Sequence, residues 1–250
     1  MKRVLLPLPD HDFDVTEVAV PWRLLREAGH EVVFATEAGA CPAADPRLLT
    51  GVLFGQLGAD AEAKRFYEEL THERPFREPI GWEDVAPSDF DALVLAGGHA
   101  PGMRQYLGSD VLQRKVAALW ARAIPVAAIC HGVLVLARAR DAEGESLLAH
   151  KQTTCLPKYM ERTAYFTTAW RLGRYYRTYD AYVEDEVRAS LRTPDQLQRG
   201  PRVLTRRGTR TDDGPAFVVE DGPYLSARWP GDAYLFAKRL LAKLAGTKLT

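Results

Sequence analysis

Cysteine is scarce in this chain of 250 residues. The three present, Cys41, Cys130 and Cys155, are an odd and scattered set that makes no disulfide framework. No two stand at Cys-x-x-Cys spacing, which argues against a structural zinc site, and no metal site is expected. Long apolar runs are missing too: none approaches the roughly 18 residues that would span a bilayer. Pro7, Pro9 and Asp10 interrupt the opening residues too soon for a signal-peptide core. Neither sign of charge dominates, with 33 basic and 33 acidic side chains giving a formal net charge of zero. Nothing global therefore points to nucleic acid or to an anionic membrane surface. Repeats and low-complexity segments are absent as well. The expectation is a cytoplasmic protein with a free thiol, no membrane partner and no nucleic-acid partner.

What is present suits one sizeable core, since 46% of residues are hydrophobic. Residues 4–8 form a short apolar run that reads as a buried strand. Residues 15–28 carry Val18, Trp22, Leu25 and Ala28 at helical spacing, with Gly29 as the stop, and residues 30–36 read as a second strand. Strand, helix and strand in that order imply a parallel sheet. Residues 91–96 predict a strand, 109–122 a helix with Ser109 as N-cap, and 124–129 a central strand running into a helix over 132–140. Near the end, 203–204 and 216–219 are strand-like, the second turning through Asp221-Gly222 into 224–227, before a helix from Pro230 to about Ala245. The prediction is an α/β fold, a three-layer sandwich with a mostly parallel sheet. It forms a single domain over 1–250, with cap insertions near 37–88 and 155–200.

The strongest chemical signal is Ile124-Pro-Val-Ala-Ala-Ile-Cys-His-Gly132. A buried strand runs straight into Cys130 and a helix follows at once, which are the mechanics of a nucleophile elbow. The thiol would stand at the carboxyl end of the sheet, where such folds bind ligands. The following helix points free N–H groups at the sulfur, so a lowered thiol pKa is expected. The bland alternative is a small core cysteine that ends a strand. A second signal is Leu93-Val-Leu-Ala-Gly97-Gly98-His99, whose paired glycines let backbone N–H groups approach a ligand. Gly97 and Gly98, followed by His99, could form an oxyanion hole with the His131 N–H, or could be an ordinary turn between strand and helix. Glu17, in the first turn of the first helix, could hold or exchange the thiol proton, or could simply be a helix-dipole acid. Glu161 could orient the His131 imidazole or could be an exposed acid; spacing leaves this open.

Together these segments resemble the ThiJ/PfpI family, within the class I glutamine amidotransferase-like superfamily. Glu17-Val-Ala-Val-Pro21, the strand ending in Gly97-Gly98-His99, Cys130-His131-Gly132, and residues 218–231 are each similar to a family segment. The resemblance implies a flavodoxin-like sheet and a Cys130–His131 pair. In its larger chaperone and glyoxalase III branch it further implies an acid four residues after a proline, which Pro157 and Glu161 match. It implies a cap beside the site and suggests a homodimer. Ala96 stands where the family often has proline, and residues 158–200 have no clear counterpart.

The expected function is a cofactor-free glyoxalase III or deglycase-like conversion of a small 2-oxoaldehyde, through a hemithioacetal on Cys130. A short-peptide peptidase using the same pair, and a stress-linked holding chaperone or thiol redox sensor without turnover, are the alternatives. A class I glutaminase would need a His-x-Glu pair downstream of the cysteine, and no histidine follows His150. The basic, aromatic residues 158–182 are interrupted by Glu161 and Asp180, which weakens a nucleic-acid reading.

Overall fold

The computed structural model describes residues 1–52, 58–203 and 205–246. In chain order the strands are β1 (Arg3–Pro7), β2 (His11–Phe13), β3 (Glu31–Thr36), β4 (Ala43–Ala44), β5 (Ile80–Gly81), β6 (Ala92–Leu95), β7 (Val126–Ile129), β8 (Val218–Asp221) and β9 (Tyr224–Ala227). The helices are α1 (Val15–Glu27), α2 (Pro46–Thr50), α3 (Ala61–Thr71), α4 (Arg74–Arg77), α5 (Met103–Leu107), α6 (Asp110–Ala121), α7 (Val133–Arg138), α8 (Lys158–Leu172), α9 (Val183–Ala189) and α10 (Ala233–Leu244). Seven strands form one sheet in the order β5-β3-β1-β6-β7-β9-β8, parallel except for the β8–β9 pair, as expected. Helices α1, α3 and α10 pack together, while α7 packs with α5, α6 and α9, giving a helical layer on each face. The strand-like run at 203–204 extends outside the described residues.

The central strands are apolar throughout because both faces are covered. Leu93, Val94, Ala127, Ala128 and Ile129 are all fully buried. Residues 37–88 do more than cover something: Ile80 and Gly81 pair with β3, and Trp82 is wholly inside the core with its indole N–H on the Ala35 carbonyl. Turn chemistry sets the α1 boundary. The Asp14 carboxylate accepts the N–H groups of Thr16 and Glu17, a side-chain N-cap. Among the described residues no helix is long and apolar enough to cross a membrane.

The carboxyl-terminal crossover is pinned by a fully buried ion pair, Arg228–Asp232. The guanidinium gives two charge-assisted bonds of 2.8 Å to the carboxylate and one of 2.6 Å to the Pro201 carbonyl. Asp232 in turn accepts the N–H groups of Phe217 and Arg228. Removing one partner leaves an uncompensated charge with no water to solvate it. Asp232→Ala is therefore expected to lose about 3 kcal/mol of stability, read as a lower urea midpoint at unchanged m-value. A loss within error would show that the pair is dispensable.

Candidate active site

Cys130 ends β7 with φ at 59°, in the left-handed region that β-carbon sterics disfavour. Such a strained turn persists because its surroundings dictate it. Directly after it, Gly132 lies so close to β6 that a Cβ there would meet the Leu95 carbonyl oxygen at 2.2 Å. Only glycine lets the chain turn this sharply. One turn of 3₁₀ helix, Cys130–Gly132, then leads into α7.

The elbow sets the sulfur among groups from three neighbouring elements. Cys130 Sγ lies 3.5 Å from His131 Nδ1. From α1, Glu17 reaches the sulfur with its carboxyl and accepts the Gly97 N–H at 2.8 Å. Glu17 Oε1 is buried without a hydrogen-bond partner. Gly97 is the closer of the paired glycines: a Cβ on it would meet His131 N at 2.7 Å and Cys130 Cβ at 3.0 Å. A Cβ on Gly98 would instead meet the Asp12 carbonyl oxygen. His99 stacks edge-on to His131 with ring centroids 4.9 Å apart, and on its other side meets Tyr176 at 5.0 Å.

Burial dominates the electrostatics. The Cys130 thiol is pushed well above its ordinary range, first by desolvation and then by the Glu17 and Asp14 carboxyls beside it. The lowered thiol pKa expected from the helix is thus corrected: a short helical turn cannot offset complete removal from water. Glu17 is itself pushed well up by burial and by Asp14, so it is held in the protonated form. His131 is held well below its ordinary value by burial, and His99 falls to about 4 for the same reason. Burial therefore favours the neutral thiol, the Glu17 carboxylic acid and two neutral imidazoles, while Asp14 behind them is raised only to about 6.

Glu161 is the second correction. It is buried, as an orienting acid would be, but its carboxylate accepts the Val183 N–H at 3.1 Å and makes no bond to His131. It secures the start of α9 against α8, and burial lifts its pKa to about 7. A carboxyl with a raised folded-state pKa contributes stability at low pH, lost as pH rises from about 4.5 to about 7. Glu161→Gln keeps an acceptor for Val183 and has no charge to bury. It is expected to match the parent near pH 4.5 and to exceed it by about 3 kcal/mol above pH 7. Urea unfolding at the two pH values checks this, and parallel stability curves would contradict it.

Sequence reasoning missed three neighbours. Asp14, the α1 cap, is also a buried acid at the sulfur, and Asp-x-x-Glu before an apolar run was its signal. Tyr176 and Thr178 come from the segment after α8, and Thr178 Oγ1 donates to the His99 carbonyl at 2.6 Å. Tyr175, next to them, donates to the Asp45 carboxylate at the α2 N-terminus. These contacts fold the segment against His99 and Asp45, and nothing local in its sequence announces that.

A model of the ThiJ/PfpI family-like group matches residues 8–201, spanning β2 through α9 and both halves of the elbow. The chain belongs to the ThiJ/PfpI family. Within this family it is 32% identical over 183 residues to the uncharacterized protein C14C4.04 of Schizosaccharomyces pombe, covering 71% of this chain and 67% of that one. It is 31% identical over 142 residues to Deglycase PfpI of Pyrococcus furiosus, covering 56% and 68%. It is 28% identical over 144 residues to the S. pombe glutathione-independent glyoxalase hsp3101, covering 55% and 56%. Among solved structures, glyoxalase III (Orf 19.251) from Candida albicans superposes with a TM-score of 0.68 at 20% identity, over 97% of each chain. At that identity the likeness speaks for the ThiJ/PfpI fold alone.

Proposed function

We propose that this protein is a cysteine-dependent, cofactor-free enzyme that converts small 2-oxoaldehydes such as methylglyoxal to 2-hydroxy acids. The observation that carries the reading is the neutral Cys130 thiol at a strained elbow, 3.5 Å from a neutral imidazole nitrogen and in contact with the Glu17 carboxyl. Relatives named as deglycases and glyoxalases support the substrate class.

In this reading the sulfur attacks the aldehyde carbon as His131 Nδ1 takes the thiol proton, and the new hydroxyl receives a proton from Glu17. The hydrogen on the former aldehyde carbon is then removed as a proton and returned to the neighbouring ketone carbon, while the new hydroxyl gives its proton to the ketone oxygen, leaving a thioester. Water cleaves the thioester and regenerates the thiol, so the sum is aldehyde plus water giving hydroxy acid. The N–H groups of Gly98 and His131 are the proposed donors to the developing oxyanion. Glu161 is assigned a structural part, and a dimer is not needed for any step.

The test is lactate formation from methylglyoxal without glutathione, run beside chromogenic aminopeptidase substrates. Lactate without amide cleavage is the expected result. Amide cleavage alone would favour the peptidase reading. Neither product, with Cys130 oxidised by mild peroxide, would favour a sensor or chaperone.

A further inference from the structure

We propose that His99, Cys130 and His131 together form a zinc site, in which a bound Zn²⁺ holds the sulfur away from aldehydes. The inhibitory half rests on the function proposed above; the binding half does not. Four observations carry it. The ligating atoms of the three residues lie within 4.8 Å of one another. The Sγ to Nδ1 separation of 3.5 Å is already that of a tetrahedral zinc edge, since bonds of about 2.3 Å to sulfur and about 2.0–2.1 Å to nitrogen span about 3.5 Å. One thiolate and two imidazoles are the borderline-soft donor set that zinc prefers over magnesium or calcium.

The fourth observation is independent of the donors. Glu17 is fully buried, reaches the sulfur, and keeps Oε1 without a partner, while Asp14 lies in the same acid pair. A buried, under-satisfied carboxyl beside a sulfur is a place that lacks positive charge. A dication bound through one thiolate leaves a single surplus charge, which an ionised Glu17 would neutralise. Each imidazole offers a ring nitrogen as a ligand atom to the triangle of donors. His99 is held beside His131 by Tyr176 against its ring and Thr178 on its carbonyl.

Binding exchanges one bond for another without redox change. The thiol S–H and the Glu17 O–H both break, the two protons pass to solvent, and a sulfur–zinc bond forms. A sulfur so bound cannot attack a carbonyl until the metal leaves.

The test uses the full chain in a Cys41→Ser background, because Cys41 is an exposed thiol that would take metal by itself. Cobalt(II), added under argon, is the optical probe, and zinc then displaces it to give an affinity. A thiolate-to-cobalt charge-transfer band is expected, absent in Cys130→Ser. Loss of one ligand should weaken zinc at least about a hundredfold in His99→Ala, beyond the cost of losing an outer-shell partner. His99→Gln serves if the alanine variant does not fold, and exposed His72→Ala is the neutral control. Lack of the band, its survival in Cys130→Ser, or unchanged zinc affinity in the His99 variant each overturns the site. None of these readouts uses an aldehyde, so an enzyme inert toward methylglyoxal would leave the zinc result standing. Conversely, turnover that zinc does not suppress would remove the inhibitory half alone.

Discussion

Replacing Cys130 by serine is expected to lower kcat/KM for methylglyoxal by about 10⁴-fold or more, the scale on which covalent enzymes lose activity with their nucleophile. The hydroxyl is smaller than the thiol and far less acidic, and a neighbouring neutral imidazole is too weak a base to compensate. The fold should survive, because the left-handed backbone at 130 is imposed by Gly132 against Leu95 and not by the sulfur. The melting temperature should therefore move by only a few degrees. This separation matters: Cys155 is also buried with a raised pKa, yet it sits at no elbow, and among the described residues its sulfur bonds its neighbour's carbonyl alone. Cys155→Ser should leave turnover within about twofold, since burial alone does not make a cysteine reactive. Full activity in Cys130→Ser would end the proposed chemistry, whatever the geometry.

The sheet and the elbow were legible because their signals are local. An apolar run that stops at Cys130 and resumes after Gly132 needs no distant contact to be read, and the Gly97-Gly98 pair marks its own strand end. The same locality explains the failures. The spacing from Pro157 to Glu161 suggested a partner for His131, but α8 carries Glu161 to the start of α9, where a free N–H claims it. A helix N-terminus takes the nearest carboxylate, and sequence spacing does not reveal which terminus that is. The thiol pKa failed for a different reason. A helix beneath a cysteine can be read from sequence, whereas the loss of all solvent around it cannot, and desolvation is the larger effect. The Tyr175–Thr178 contacts join residues 79 and 130 apart in sequence, so composition could show their chemistry but not their position.

Glu17→Gln should lower kcat/KM by about 10³-fold, within the range for losing a positioned general acid, and its pH profile tells whether the proton is the reason. The amide retains an oxygen for the Gly97 N–H and an N–H for the sulfur, so geometry and charge are kept while the transferable proton is lost. In the parent, burial and Asp14 raise the Glu17 pKa, so the acid form persists well above the ordinary carboxylate range. The sign follows directly. As pH rises through that raised value, Glu17 ionises, can no longer protonate the aldehyde oxygen, and places a negative charge against the thiol. Ionisation then opposes thiolate formation, so kcat/KM must fall on the alkaline side. In Glu17→Gln this descending limb should vanish, leaving a lower and flatter profile. A variant that keeps the parental rate, or that keeps the alkaline limb unchanged, would reduce Glu17 to a bracket for Gly97. His131 would then have to move every proton in the cycle alone.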